Sequence, residues 1–255
     1  MTKTIAFAGK GGTGKTTIAA LMIRAITERT SKPVLAIDAD PASNLHLALG
    51  LDMPLTVGEI REQMAASNTA GQLGVTISRQ DYLTHEVRMA VEEGLQVDLL
   101  AMGRPEGQGC YCAANHMLRV IVDDLSGAYP FVVIDNEAGM EHISRRTTRD
   151  VDVLFLVTDP TIRGVLTAAN MAKLAQELEV NVRDIQLIIN RVQGGLPAPM
   201  QDAVENAGIQ IAATVPADSS INELDAYGKP LVELNGSSPA WLAIEAAALE
   251  VLGLG

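Results

Sequence analysis

Seven short apolar or β-branched runs punctuate the chain, at Thr4–Ala8, Val34–Asp38, Val97–Ala101, Phe131–Asp135, Val153–Thr158, Ile185–Asn190 and Ile209–Val215, each bounded by turn-forming residues. Between them lie longer stretches with apolar positions at helical spacing: Thr16–Glu28, Ala113–Leu125, Gly164–Leu178 and Pro199–Ala207. Short runs that are apolar at nearly every position suit strands covered on both faces, and their alternation with helices suits parallel crossovers. The pattern predicts an α/β fold, a mostly parallel central sheet with helices on both faces. No break in composition separates the first strand from the last, so residues 1–255 read as a single domain. Leu51–Gln96 is polar and helix-prone and reads as an inserted helical lobe. Pro230–Gly255, with Trp241 in a Leu/Ala/Ile pattern, reads as a terminal helix docked on the sheet.

Composition then narrows the partners. With 31 Asp and Glu against 19 Lys and Arg, the chain carries a formal charge of −12 and a pI of about 4.7. That leaves little positive charge to neutralise phosphates or anionic lipid. Aromatic residues make up 3% of the chain, too few for a base-stacking platform. Neither nucleic acid nor a membrane is an expected partner. No apolar run reaches the roughly 18 residues of a membrane helix, and Met1–Ala8 lacks the charged-then-apolar plan of a signal peptide. The expected location is the cytoplasm. Two cysteines, Cys110 and Cys112, cannot form a disulfide framework, which leaves metal binding, redox chemistry or chance.

Directly after the first run comes Gly9-Lys10-Gly11-Gly12-Thr13-Gly14-Lys15-Thr16-Thr17, the G-x-x-x-x-G-K-S/T pattern in its strand–loop–helix setting. The glycines let backbone N–H groups turn inward around phosphate oxygens, and the helix that starts near Lys15 adds the positive end of its dipole. The residues expected on the nucleotide are Gly11, Gly12, Thr13, Gly14, Lys15, Thr16 and Thr17. Lys15 is expected against the β- and γ-phosphates and the Thr16 hydroxyl on Mg²⁺. Lys10 sits too near the loop's start to curl back onto its own γ-phosphate, but is placed to reach a nucleotide held by a facing subunit. Two acidic segments, Asp38–Asn44 and Asp135–Glu141, end later strands, where open α/β sheets bind their ligands.

The K-G-G-x-G-K loop resembles the deviant phosphate loop of the ParA, MinD and nitrogenase iron protein class, P-loop NTPases of the MinD-like (SIMIBI) type. The resemblance implies a nucleotide-sandwich homodimer in which Lys10 acts across the interface. It implies a switch I in which Asp40 orients the attacking water and Asp38 helps to order the Mg²⁺ shell. In a D-x-x-A-G switch II, Asp135 would hold an Mg²⁺-bound water and Gly139 would lie near the γ-phosphate. Catalysis would fall to Lys10, Lys15 and Asp40. Ile189-Asn190-Arg191 and Val215-Pro216-Ala217-Asp218 are similar to the class's adenine-contacting segments, with the Asn190 amide and Pro216 at the base. No N-K-x-D guanine signature is present, so ATP is the expected nucleotide.

Residues i and i+2 of an extended segment share one side, so the sulfurs of Cys110 and Cys112 are placed to grip one ion. Two thiolates only half fill a four-coordinate shell. A homodimer supplies both twice, a Cys₄ set suited to Zn²⁺ or, flattened, to Ni²⁺. The whole arrangement resembles the CooC/AcsF family of nickel-insertion ATPases. That resemblance implies capture of Ni²⁺ (or Zn²⁺) at the paired C-x-C and ATP-driven delivery to carbon monoxide dehydrogenase or acetyl-CoA synthase. His116 and His142 read as ordinary polar residues in preference to ligands.

Two other readings share the same engine. An iron-protein-like electron donor would bridge one Fe–S cluster between subunits with two cysteines from each; that family's cysteines lie far apart in sequence, whereas these are separated by Tyr111 alone. A ParA- or MinD-like positioning ATPase needs a basic surface or a basic C-terminal amphipathic helix. The last basic residue here is Lys229.

Overall fold

The computed structural model describes residues 2–69, 78–104, 120–137, 150–177 and 181–254. Its strands are β1 (Lys3–Ala8), β2 (Val34–Asp38), β3 (Glu92–Glu93), β4 (Val97–Ala101), β5 (Phe131–Asp135), β6 (Asp150–Thr158), β7 (Asn181–Val192) and β8 (Gln210–Pro216). They build one eight-stranded sheet in the order β3-β4-β2-β5-β1-β6-β7-β8. Every neighbouring pair is parallel except β3, which runs antiparallel to β4. The seven apolar runs are the seven parallel strands. β3 is two glutamates with no apolar pattern to betray it, and its charge blunts the sheet edge against further pairing.

The helices are α1 (Lys15–Thr30), α2 (Leu45–Leu49), α3 (Val57–Thr69), α4 (Arg79–Met89), α5 (described over 120–126), α6 (Ile162–Glu177), α7 (Ala198–Ala207), α8 (Ser219–Ala226) and α9 (Pro239–Leu252). Successive strand residues point to opposite faces, and both faces are covered. Ile5, Phe7, Val133 and Phe155 pack against α1 and α9, whereas Ala6, Ile37, Ile134 and Leu156 pack against α3, α4, α6 and α7. In α3 and α4, Val57, Ile60, Met64, Leu83 and Val87 belong to that second cluster, so the inner side of the 51–96 segment is part of the sheet's own core. The terminal helix docks as expected. Trp241 of α9 is buried, and the Arg24 guanidinium of α1 lies 4.2 Å from its ring centroid.

Two features of this topology make a site. β1 lies between β5 and β6, so the chain winds outward from it in both directions and its carboxyl end opens onto a switch-point crevice. The register then sets Asp135 beside both Phe7 and Asp38, which aligns the carboxyl ends of β1, β2 and β5. The expected helix Ala113–Leu125 is seen only in its last turns. Cys110, Cys112, His116, Gly139 and His142 lie outside the described residues.

Candidate functional site

Residues 9–14 leave β1 and arch over the start of α1. Gly9 is packed so closely on β6 that a Cβ would collide with the Val157 carbonyl oxygen. Gly14 is the N-cap of α1 at φ 90, a left-handed conformation that costs a side-chain-bearing residue dearly, and a Cβ there would meet Asn190 Nδ2. Inside the arch three donors converge on one carbonyl: Lys10 O accepts from Thr13 Oγ1 at 2.9 Å, Thr13 N at 3.4 Å and Lys15 Nζ at 3.4 Å. Lys15 is buried, and among the described residues this carbonyl is its hydrogen-bond acceptor. A buried ammonium facing a neutral oxygen and a helix N-terminus is a site built for an anion. Gly11, Gly12 and the Lys10 side chain are exposed on the loop's outer surface, and Thr17 is half-buried in the first turn of α1. Beside them opens a cleft of about 280 Å³ lined by Thr16, Thr17, Asn44, Leu47, Asp225 and Lys229.

Thr16, Asp38 and Asp135 are brought together, but not in equivalent roles. Thr16 Oγ1 donates to Asp135 Oδ2 at 2.5 Å, while Asp135 Oδ1 is buried with no hydrogen-bond partner among the described residues. Burial pushes the Asp135 carboxyl from 3.8 up to about 7; the Thr16 hydrogen bond pulls it down, the charge of Asp38 raises it and Lys15 lowers it. Asp38 is fully engaged by backbone. Its Oδ1 accepts from Asp40 N at 3.1 Å and its Oδ2 from Leu45 N at 2.9 Å, so it braces the loop after β2 and the start of α2. Burial raises Asp38 as well, to about 6, against the pull of those two hydrogen bonds. A small hard cation needs oxygen donors and commonly keeps waters and phosphate oxygens in its shell. The Thr16 hydroxyl and the orphaned Asp135 Oδ1 fit Mg²⁺ on that count. Asp38 fits it only from behind. Asp40 turns the loop through Oδ1, which accepts from Ala42 N at 2.8 Å; its second oxygen makes no hydrogen bond with the described residues.

Asn190 stands at the carboxyl end of β7, buried, and its amide is not idle. Nδ2 donates to Thr13 O at 2.8 Å and Oδ1 accepts from Arg191 N at 2.9 Å, which leaves one amide proton for a base edge. Arg191 sits at φ 60, and its Nη1 donates to Gly12 O at 3.0 Å. Sequence reasoning had no access to this clamp, since the partners lie 177 and 179 residues apart. Pro216 ends β8 level with Val192, beside these residues. Asn136 was missed altogether: it is buried, donates through Nδ2 to Phe7 O at 2.9 Å, and thereby ties the end of β5 to the strand that feeds the loop. It lies between Asp135 and Glu137, just past the apolar run, where nothing in the sequence sets it apart from a turn residue.

The sequence profile of the CobQ/CobB/MinD/ParA nucleotide binding domain matches residues 4–231. The chain belongs to this family. It is a P-loop ATPase of the MinD/ParA class. The chain is 40% identical over 248 residues, 97% of its length and 98% of the other's, to an uncharacterized ATP-binding protein of Methanocaldococcus jannaschii. It is 32% identical over 264 residues, 98% of its length and 97% of the other's, to the carbon monoxide dehydrogenase accessory protein CooC of Rhodospirillum rubrum. The solved MinD of Pyrococcus horikoshii, complexed with Mg-ADP, shares the fold with a TM-score of 0.68 at 24% identity, over 98% of this chain and 96% of that one. Among the described residues no helix is long and apolar enough to cross a membrane, and no group of three His, Cys, Asp or Glu side chains is gathered for a metal.

Proposed function

We propose that the chain is an ATP-driven metallochaperone, a homodimer that takes up nickel at paired Cys110 and Cys112 and hands it to a carbon monoxide dehydrogenase or an acetyl-CoA synthase. The observation that carries this reading is the likeness to CooC along 98% of the chain, joined to the C-x-C at residues 110–112. The phosphate site supplies the motor. Backbone N–H groups of the loop and the buried Lys15 ammonium bind the β- and γ-phosphates. Thr16 and Asp135 are the residues that would hold Mg²⁺, which when bound neutralises charge on the phosphate oxygens. The free oxygen of Asp40 accepts from the attacking water and aligns it. As that water's oxygen bonds to the γ-phosphorus, the bond to the β–γ bridging oxygen breaks, and ADP and inorganic phosphate remain. Lys15 from one chain and Lys10 from the facing chain stabilise the charge that develops.

Departure of phosphate removes what holds switch I, switch II and the opposite Lys10 together, so the two chains loosen and the shared four-sulfur shell opens. The test is equilibrium dialysis against Ni²⁺ with size-exclusion chromatography, with and without a non-hydrolysable ATP analogue. Wild type is expected to bind nickel as a dimer, and Cys110→Ala to lose the nickel while retaining ATP hydrolysis. A chain that binds no nickel or zinc, or a brown one absorbing near about 400 nm as thiolate-ligated iron does, sinks the reading.

A further inference from the structure

We infer that the cleft beside Thr16 and Thr17 is the sugar and α-phosphate subsite of the nucleotide, with Lys229 as the cation on the α-phosphate and Asp225 as the acceptor of the ribose hydroxyls. The inference deepens the nucleotide half of the proposed reading and does not depend on nickel.

The cleft, of about 280 Å³, has three sides. One is the first turn of α1, where Thr16 and Thr17 directly follow the buried Lys15. The second is the start of α2, with Asn44 and Leu47, and the third is the end of α8, with Asp225 and Lys229. A nucleotide whose terminal phosphates lie in the loop continues outward through its α-phosphate into its ribose. A cleft that adjoins the loop at the first turn of α1 meets those two groups.

Both outer walls are held by backbone. Lys229 N donates to Leu224 O at 2.9 Å and Gly228 N to Asp225 O at 3.1 Å, with Gly228 at φ 62, so α8 ends in a closed reversal that turns Asp225 and Lys229 onto the same space. Pro230 then restricts the backbone of Lys229. It also stands against the C-cap of α2, where a Cβ on Gly50 would lie 3.0 Å from both Pro230 Cβ and Cγ. Leu231 is buried behind this contact, and Asp38 Oδ2 fixes the other wall by accepting from Leu45 N at 2.9 Å. Walls already in place spare a ligand the cost of ordering them.

The charges choose the ligand. Lys229 is the only Lys or Arg after Arg191, in a stretch that carries eight Asp and Glu. It meets Glu233 only at 4.0 Å, and with both side chains more than half exposed such a pair is worth little and is readily given up. A bare anion drawn to Lys229 would also face the Asp225 carboxylate. A sugar phosphate satisfies both, because its phosphate oxygens accept from the ammonium while its hydroxyls donate to the carboxylate. Pairing of an acidic side chain with ribose hydroxyls is the same chemistry that dinucleotide-binding folds use.

Titration calorimetry of the full-length protein with Mg²⁺ and ATP, 2′-deoxy-ATP or inorganic tripolyphosphate tests this. Both side chains are exposed, so truncating them empties no core. Wild type is expected to bind ATP about tenfold tighter than 2′-deoxy-ATP, the yield of a hydrogen bond to a charged group. Asp225→Ala is expected to bring that ratio to about one and to leave tripolyphosphate, which has no sugar, unchanged. Lys229→Ala is expected to weaken all three by about tenfold. A wild type that binds ATP and 2′-deoxy-ATP equally overturns the subsite while leaving the nucleotide reading intact. So does an Asp225→Ala that loses tripolyphosphate as much as ATP, since it would then act through the loop, or a Lys229→Ala with wild-type affinities. A wild type that binds none of the three overturns the nucleotide reading and the subsite together.

Discussion

Replacing Asn190 by alanine separates holding the phosphate loop from reading the base. Asn190 Nδ2 on Thr13 O at 2.8 Å and Arg191 Nη1 on Gly12 O at 3.0 Å restrain two successive loop residues from outside the phosphate cradle. Freezing two backbone residues costs about 2–4 kcal/mol, which sets the most that pre-ordering can be worth. A hydrogen bond can pre-order no more than its own net strength, about 0.5–1.5 kcal/mol, and that smaller figure decides. Asn190→Ala is expected to weaken ATP binding by about 1 kcal/mol, about fivefold in Kd. The loss is expected to be equal for ATP, GTP and inorganic tripolyphosphate in titration calorimetry, because a loosened loop serves every polyphosphate alike. Weakened ATP with unchanged tripolyphosphate would refute the clamp and make Asn190 a reader of adenine.

Lys10→Ala is expected to lower ATP turnover by about a hundredfold, the usual cost of one charge-stabilising donor, with nucleotide binding by a single chain preserved; unchanged turnover removes the cross-subunit role. Asp218 gives the acid limb of stability. Burial alone would raise its carboxyl, but hydrogen bonds from Ser238 Oγ at 2.6 Å and Ser220 N at 2.9 Å outweigh that and hold it below 3.8. A depressed carboxylate contributes stability above its unfolded value and loses it as pH falls through the folded one. Asp218→Asn, which keeps an oxygen to cap Ser220 N but loses the charge, is therefore expected to be less stable than wild type at pH 7 and to converge with it in acid. Urea midpoints between pH 3 and 7 measure it, and a gap that is constant with pH rules out the charge.

What was legible in the sequence was local or saturated. The nine residues of the loop announce themselves because their pattern is contiguous and part of the constraint is local, as in the left-handed backbone of Gly14 at the N-cap of α1. The strands were legible because burial on both faces leaves β1, β2 and β5 without polar interruptions. What depends on partners far along the chain was not. Asp135 looks like a ligand at the end of a strand, and only the tertiary fold shows one of its oxygens held by Thr16, 119 residues away, and the other left over among the described residues; Asp38 looks the same, although both its oxygens are spent within seven residues, on Asp40 N and Leu45 N. Val57, Ile60 and Met64 carry a helical stripe that a separate lobe and a core-facing helix would display identically. Glu92–Glu93 is a strand by its neighbour's invitation, since two residues carry no period.

The leftover oxygen of Asp135 lets stability and function be set against each other. A buried carboxylate raised to about 7 binds a proton in the folded chain that the unfolded chain, at 3.8, has already released. Stability of the chain without ligands is then expected to fall as pH rises between those values, because the folded state must either keep the proton or bury the charge. Asparagine keeps the shape and one oxygen for the Thr16 hydroxyl but never ionises. Asp135→Asn is expected to raise the urea midpoint at pH 8 and to leave it nearly unchanged at pH 4, while ATP turnover collapses for want of the oxygen that fits magnesium. Such a gain on deleting a site residue is the signature of a group kept for its ligand. A variant less stable than wild type at pH 8 would mean that Lys15 and Thr16 already compensate the charge, and that the site does not rely on a cation to complete it.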